Sequence, residues 1–191
     1  MIIRNLLEEY RRHLTRLAST LFEAMVRGLG LKLELPRSTY LDESTELVRV
    51  YRYPRSSVDK ELANGMHVHT DSSLLSILNE DQVGGLQFLK DDQWSDVKPI
   101  PSTLIVNLGD MMQALSDDEY KSVTHKVKLS KQKERVSICY FVFPQENALI
   151  HTSKYKPFTY NDFRAQVQLD VKTVGWKIGL QNFKLPQTSS N

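Results

Sequence analysis

SVTHKVKL (122–129) and RVSICYFVF (135–143) decide the fold. Both are rich in β-branched and aromatic residues, and both alternate. Val123, His125, Val127 and Leu129 share one parity, as do Arg135, Ser137, Cys139, Phe141 and Phe143. Side chains two apart on a strand point to the same face, so a period of two marks strands and not helices. Working outward, the same signal recurs in LVRVYRY (47–53), MHVHTD (66–71), LLSIL (74–78), GLQFL (85–89), WSDVK (94–98) and TLIVN (103–107). Turn chemistry at Asn64-Gly65, Gly84-Gly85, Asp91-Asp92, Pro99, Pro101 and Gly109 punctuates them. About eight short strands with frequent turns predict a β-sandwich or jelly-roll barrel.

The period changes on either side. Ile3, Leu6, Leu7, Tyr10, Leu14, Leu17, Leu21, Met25 and Leu29 recur at three- and four-residue steps, which predicts a long amphipathic helix stopped by Gly28 and Gly30. Such a stripe gains its stability from tertiary packing, so Ile3, Leu7, Tyr10, Leu14, Leu17, Leu21 and Met25 are expected to bury against the barrel or against something absent. Beyond the strands, Thr159 and Asp162 form a capping-box pattern before a helix running to about Thr173 and ended by Gly175. MMQALS (111–116) reads as a short helical turn, and LPQTSSN (185–191) as a frayed tail.

The 191 residues are 40% hydrophobic and 25% charged, which excludes wholesale disorder and fibrous architectures. The longest apolar run, Ile138 to Phe143, falls far short of the ~20 residues that span a membrane. Glu8 and Glu9 interrupt the opening residues, which do not read as a secretory signal. With Cys139 alone there is no intramolecular disulfide, which suits a reducing, cytoplasmic compartment. The net charge of +2 hides an asymmetry, −9 over residues 61–120 and +8 over 121–191. An acidic middle suits a cation site and a basic last third an anionic ligand. No Lys/Arg tract interleaved with aromatics argues for nucleic acid.

His69 and Asp71 lie two apart at a strand end, so both can reach one ion. His125 sits on an otherwise apolar strand face. Two imidazoles and a carboxylate with open positions form the facial triad of non-haem Fe(II) oxygenases, leaving room for a bidentate cosubstrate and O₂. Taken singly, each histidine also fits a core or surface residue. Arg135 and Ser137 open a largely apolar strand face ten residues after His125. A buried arginine needs an anionic partner, and its planar fork matches a carboxylate. One short dicarboxylate, such as 2-oxoglutarate, could thus touch metal and arginine together. Standing alone, Arg135 equally fits an exposed strand end after KQKE.

Together, His69-x-Asp71, His125 and Arg135-x-Ser137 resemble the plant branch of the 2-oxoglutarate- and Fe(II)-dependent dioxygenase superfamily. VGGLQF (83–88), KPIPSTLIVNLGD (98–110), ALSDDEYKSVTHKV (114–127) and RVSICYFVFP (135–144) extend the likeness over essentially the whole chain. SDDEYKSVTHKV and the ending KPFTYNDFRAQVQLDVKTVGWKIGLQNFKL are similar to gibberellin oxidases and their relatives. The resemblance implies a double-stranded β-helix, or jelly-roll, core with a long N-terminal helix and a C-terminal helix outside it. It implies Fe(II) on His69, Asp71 and His125, and 2-oxoglutarate held at its far carboxylate by Arg135, Ser137 and Tyr53. Tyr53 matches the family's tyrosine, whereas Tyr51 stands where an asparagine is usual. O₂, a small apolar, gibberellin-like substrate, and ascorbate as a candidate reductant complete the set.

A single domain over 1–191 is expected, with 1–35 as helical support, 45–145 as the jelly-roll core and 159–191 as C-terminal helix and tail. The family's usual N-terminal region is expected to be absent, leaving apolar surface for self-association. Two alternatives stay open: an impaired relative that binds metal and 2-oxoglutarate without turnover, and a cupin-like zinc module. Trp94 and Trp176 are expected to pack, Met111 and Met112 to fill core, and Asn107 and Asp110 to hold the turn after the TLIVN strand.

Overall fold

The computed structural model describes residues 2–33, 35–56 and 64–186. Its strands are β1 (Leu47–Tyr53), β2 (Asn64–His69), β3 (Leu75–Glu80), β4 (Leu86–Lys90), β5 (Gln93–Asp96), β6 (Ile105–Leu108), β7 (His125–Lys128), β8 (Arg135–Val142), β9 (Leu149–Thr152) and β10 (Tyr155–Thr159). Eight of them form two four-stranded antiparallel sheets, ordered β1-β8-β3-β6 and β2-β7-β4-β5. The chain passes back and forth between the sheets, which is the winding of a jelly roll. Residues of β1, β3 and β8 in the first sheet and of β2, β4 and β7 in the second line the cavity between them.

The apolar run of β8 has a two-sided explanation. Arg135, Ser137, Cys139 and Phe141 face the cavity. Tyr140 and Val142 face outward into a core shared with Leu75, Ile77 and the helix α1 (Ile2–Gly28). A strand buried on both faces reads as a continuous hydrophobic stretch. The seam of α1 is Leu14, Ala18 and Phe22, each no more than 3% exposed, and Thr15 accepts a hydrogen bond from the Tyr140 hydroxyl at 3.1 Å. A short helix α2 (Arg37–Tyr40) follows, then α3 (Asp110–Leu115) and α4 (Tyr160–Val174). Thr159 and Asp162 form the expected capping box on α4, and Gly175 ends it at φ 86°, a conformation that favours glycine.

Ile3, Leu6 and Leu7 are 74%, 59% and 41% exposed among the described residues, so of the two covers open to the stripe the barrel does not serve this end, because the core under α1 begins a turn further on. Other expectations need correction. Asn64-Gly65 is no turn but the start of β2; a Cβ on Gly65 would lie 2.5 Å from the Tyr53 ring. Trp176 is 66% exposed instead of packed, while Met111 and Met112 are fully buried as expected. The β9–β10 hairpin was absent from the sequence reading because Pro157 and His151 break the pattern; the ladder slips between Tyr155 and Phe158, where a proline is tolerated. Residues 187–191 of the expected frayed tail lie outside the described residues. No helix among the described residues is long and apolar enough to cross a membrane.

Candidate metal centre

Antiparallel pairing of β2 with β7 sets His69 directly opposite His125, with ring centroids 4.3 Å apart. The ladder slips between Met66 and His69, which ends β2 beside the cavity. Asp71 follows in the loop to β3. That loop is held by the segment after β6: the Asp110 amide donates to the Asp71 carbonyl (2.8 Å), the Gly109 amide to Leu74 (2.9 Å) and the Met111 amide to Ser73 (3.1 Å). A Cβ on Gly109 would fall 2.1 Å from the Ser73 carbonyl oxygen, so this approach requires glycine. Lys177 closes the loop from the other side, donating to the Thr70 carbonyl (2.5 Å), Ser72 Oγ (3.2 Å) and Asp110 Oδ2 (2.8 Å). Asp110 therefore holds its turn, as expected, and also anchors Lys177.

Each side chain of the trio has one polar atom tied and one aimed inward. His69 Nδ1 lies 2.7 Å from the His67 carbonyl and His125 Nδ1 3.0 Å from that of Val123. A carbonyl only accepts, so each Nδ1 carries the proton and each Nε2 presents its lone pair. Asp71 Oδ2 accepts from Ser76 Oγ at 2.7 Å, and Oδ1 lies 3.7 Å from both Nε2 atoms. That is too long for a hydrogen bond, but two atoms each about 2.1 Å from one ion can span it. Candidate ligand atoms of the three residues all lie within 4.8 Å of one another. Burial, with the neighbouring His125, lowers the His69 pKa and favours the neutral ring that a metal needs. Cys139 also faces the cavity, yet burial and the Asp71 charge push its thiol up to about 12, so it stays protonated.

The same cavity, about 600 Å³, reaches Arg135, Ser137 and Tyr53. Pairing of β1 with β8 places Tyr53 opposite Arg135, and the guanidinium lies 5.0 Å from the Tyr53 ring centroid. Arg135 is 1% exposed; Nη1 donates to Ser137 Oγ at 3.1 Å and Nη2 to Glu80 Oε2 at 2.6 Å. Burial raises the Tyr53 pKa against the pull of Arg135, so the phenol remains a donor. Leu78, Leu86 and Val127 form apolar wall nearby. Phe143, Tyr160 and Phe163 add aromatic surface, and Arg49 and Arg164 add positive charge.

All six expected site residues thus line one cavity: His69, Asp71 and His125 in one cluster, Tyr53, Arg135 and Ser137 in another. His67 contributes its backbone carbonyl, not its ring. Sequence reasoning missed Ser76, Glu80, Lys177, Arg49 and Arg164. Ser76, Leu78 and Glu80 alternate along β3, and that parity was a usable signal for the first two polar residues. Nothing local marks Lys177, whose contacts lie 67 to 107 residues upstream.

A jelly roll that converges two imidazoles and one carboxylate on a common point has the ligand arrangement of the non-haem Fe(II) oxygenases. Residues 44–144, just over half of the chain, match the 2OG-Fe(II) oxygenase superfamily model, and the chain belongs to that superfamily. It is 39% identical over 191 residues to gibberellin 2-beta-dioxygenase 6 of Oryza sativa subsp. japonica, covering 95% of this chain and 53% of that protein. It is 46% identical over 144 residues to gibberellin 2-beta-dioxygenase 8 of Arabidopsis thaliana, covering 73% of this chain and 42% of that one. The chain spans about half the length of these curated relatives. It also matches the crystal structure of JOX2 in complex with 2OG, Fe and JA, with a TM-score of 0.83 and 34% identity over 96% of this chain and 57% of that one.

Proposed function

We propose that this chain carries the catalytic jelly roll of a 2-oxoglutarate- and Fe(II)-dependent dioxygenase that oxidises a small, largely apolar, gibberellin-like acid. The observation that carries the reading is the single cavity with a three-ligand cluster and a buried arginine fork on its walls. The donor set fits the group: two neutral imidazole lone pairs and one carboxylate oxygen converge with no hydrogen bond among them. His69, Asp71 and His125 would hold Fe(II), and Arg135 with Ser137 and Tyr53 would take the far carboxylate of 2-oxoglutarate. When bound, iron and 2-oxoglutarate supply the O₂-activating chemistry that no side chain can. The protein's part is geometric and electrostatic. Ser76 keeps Asp71 turned so that one oxygen faces the imidazoles. The carbonyls of His67 and Val123 fix both imidazole tautomers. Leu78, Leu86 and Val127 would give the space between the two clusters an apolar wall. Phe143 and Tyr160 would cover an apolar substrate, and Arg49 and Arg164 suit its carboxylate.

A cytoplasmic location, supported by the lone buried Cys139, and ascorbate as reductant belong to the same reading. So does self-association through the exposed Ile3, Leu6 and Leu7, which sedimentation of the wild type beside an Ile3→Ser/Leu7→Ser variant would check. The central test is an anaerobic Fe(II) titration with and without 2-oxoglutarate, followed through the metal-to-ligand charge-transfer band. The band is expected only with both present; its absence in folded protein would overturn the reading, and tight zinc binding without it would favour a zinc module.

A further inference from the structure

We propose that Glu80 competes with 2-oxoglutarate for the Arg135 guanidinium, and so acts as a positioning residue that sets cosubstrate affinity; this rests on the cavity reading above. Glu80 ends β3 on its cavity-facing parity, opposite Ser137 of β8. Its side chain is 6% exposed, that of Arg135 is 2% exposed, and 2.6 Å separates Oε2 from Nη2. This is a buried ion pair on the arginine that lines the candidate anion site.

The hydrogen-bond inventory shows what the pair leaves open. Arg135 offers five N–H groups; one on Nη1 reaches Ser137 and one on Nη2 reaches Glu80. Its Nε and Glu80 Oε1 are both buried and have no hydrogen-bond partner among the described residues. The fork therefore keeps donors for a second carboxylate, but that carboxylate meets a guanidinium already half-neutralised and lies beside a second negative charge. Like charges sharing one cation oppose each other.

Glu80 has opposite effects in the two states. Without cosubstrate, its charge compensates a buried arginine that would otherwise be costly. With cosubstrate, the same charge repels the ligand, while the short bond to Nη2 still fixes the plane of the fork. A neutral acceptor would keep the second effect and lose the repulsion.

The test uses the full chain with Mn(II) in place of iron, titrated calorimetrically with 2-oxoglutarate and with its 5-methyl ester, whose far end is uncharged. Glu80→Gln keeps an acceptor oxygen for Nη2, so 2-oxoglutarate should bind about tenfold more tightly than to the wild type. Affinity for the ester should change less than about twofold, a split that a merely structural role would not produce. Glu80→Asp keeps the charge and should not tighten binding. If Glu80→Gln does not fold, the wild type still decides, because a competing Glu80 limits its preference for diacid over ester to about tenfold. An unchanged or weakened affinity in Glu80→Gln, equal tightening in Glu80→Asp, or a wild-type preference above about a hundredfold would overturn the proposal. Binding of both ligands with any of those results leaves the cavity reading standing. Binding of neither ligand to wild type or variant overturns both.

Discussion

At the metal end of the cavity, each side chain spends one polar atom on the scaffold and points the other at a shared centre. At the arginine end, Arg135 is bonded to two neighbours that line or adjoin the same space, one of them a carboxylate. The first end is fixed from behind and open in front. The second already holds a carboxylate of its own while keeping unbonded donors. A cation can enter the first without displacing a protein contact, whereas an anion at the second must share the fork with Glu80. One jelly roll thus supplies two kinds of readiness, because the end of β2 meets the start of β7 at the metal cluster, while β3 and β8 pair side by side in one sheet at the arginine.

The largest expected effect breaks the metal end alone. His125→Ala leaves one imidazole and one carboxylate, and affinity for Fe(II) or Mn(II) should fall at least about a hundredfold while the chain stays folded. Stoichiometric metal in that variant, measured by elemental analysis after gel filtration, would remove His125 from the cluster. Next, Arg135→Lys keeps the charge and loses the planar fork. Affinity for 2-oxoglutarate should drop about tenfold or more with metal binding unchanged, so the two ends would be separable by calorimetry. Ser76→Ala is subtler. It frees Asp71 Oδ2, and loss of such an outer partner should weaken metal binding about tenfold. Equal metal affinity would show that the Asp110 and Lys177 contacts to the loop suffice.

The smallest effect belongs to neither end and serves as their control. Burial alone would raise the Asp118 carboxyl, but hydrogen bonds from Lys184, Tyr155 and Gln113 hold it at about 2. Its folded pKa thus lies below the ordinary value of 3.8. The resulting stability is present above about pH 4 and is lost as pH falls through about 2. Asp118→Asn should therefore lower the melting temperature at neutral pH by a few degrees and flatten its fall between about pH 4 and 2. Metal and 2-oxoglutarate affinities at neutral pH should not move.

Much of this was legible in the sequence because it depends on local rules. Period two gave the eight barrel strands, the Thr159–Asp162 box and Gly175 bracketed α4, and HxD with RxS carried enough chemistry to locate both clusters. What escaped depends on contacts between distant segments. The partner of Arg135 comes from β3, 55 residues away, and no spacing rule predicts that pairing. The hairpin of β9 and β10 was hidden because its irregular ladder accepts a proline that ordinary strand signals reject. Uncovered apolar surface on α1 was expected, but not that it would fall on Ile3, Leu6 and Leu7: an apolar stripe says which face wants cover, not how far the covering core extends.

The Lys177 clasp has a consequence for how the protein is made. Thr70 and the lysine that grips it are 107 residues apart. At ordinary rates of synthesis, about 5–20 residues per second, the lysine follows by roughly 5–20 seconds. Both histidines and the aspartate have then already been made, along with all eight barrel strands. Late in that interval a nascent chain has both histidines and the aspartate but lacks the ammonium that bridges Thr70, Ser72 and Asp110. Asp170 is made seven residues before the lysine and accepts from the amides of Ile178 and Gly179, which fixes the backbone just after it. Synthesis of the segment around Lys177 is therefore the step that locks the ligand loop, and ribosome-stalled chains ending before Lys177 should be cut by protease within residues 70–73 more readily than released protein.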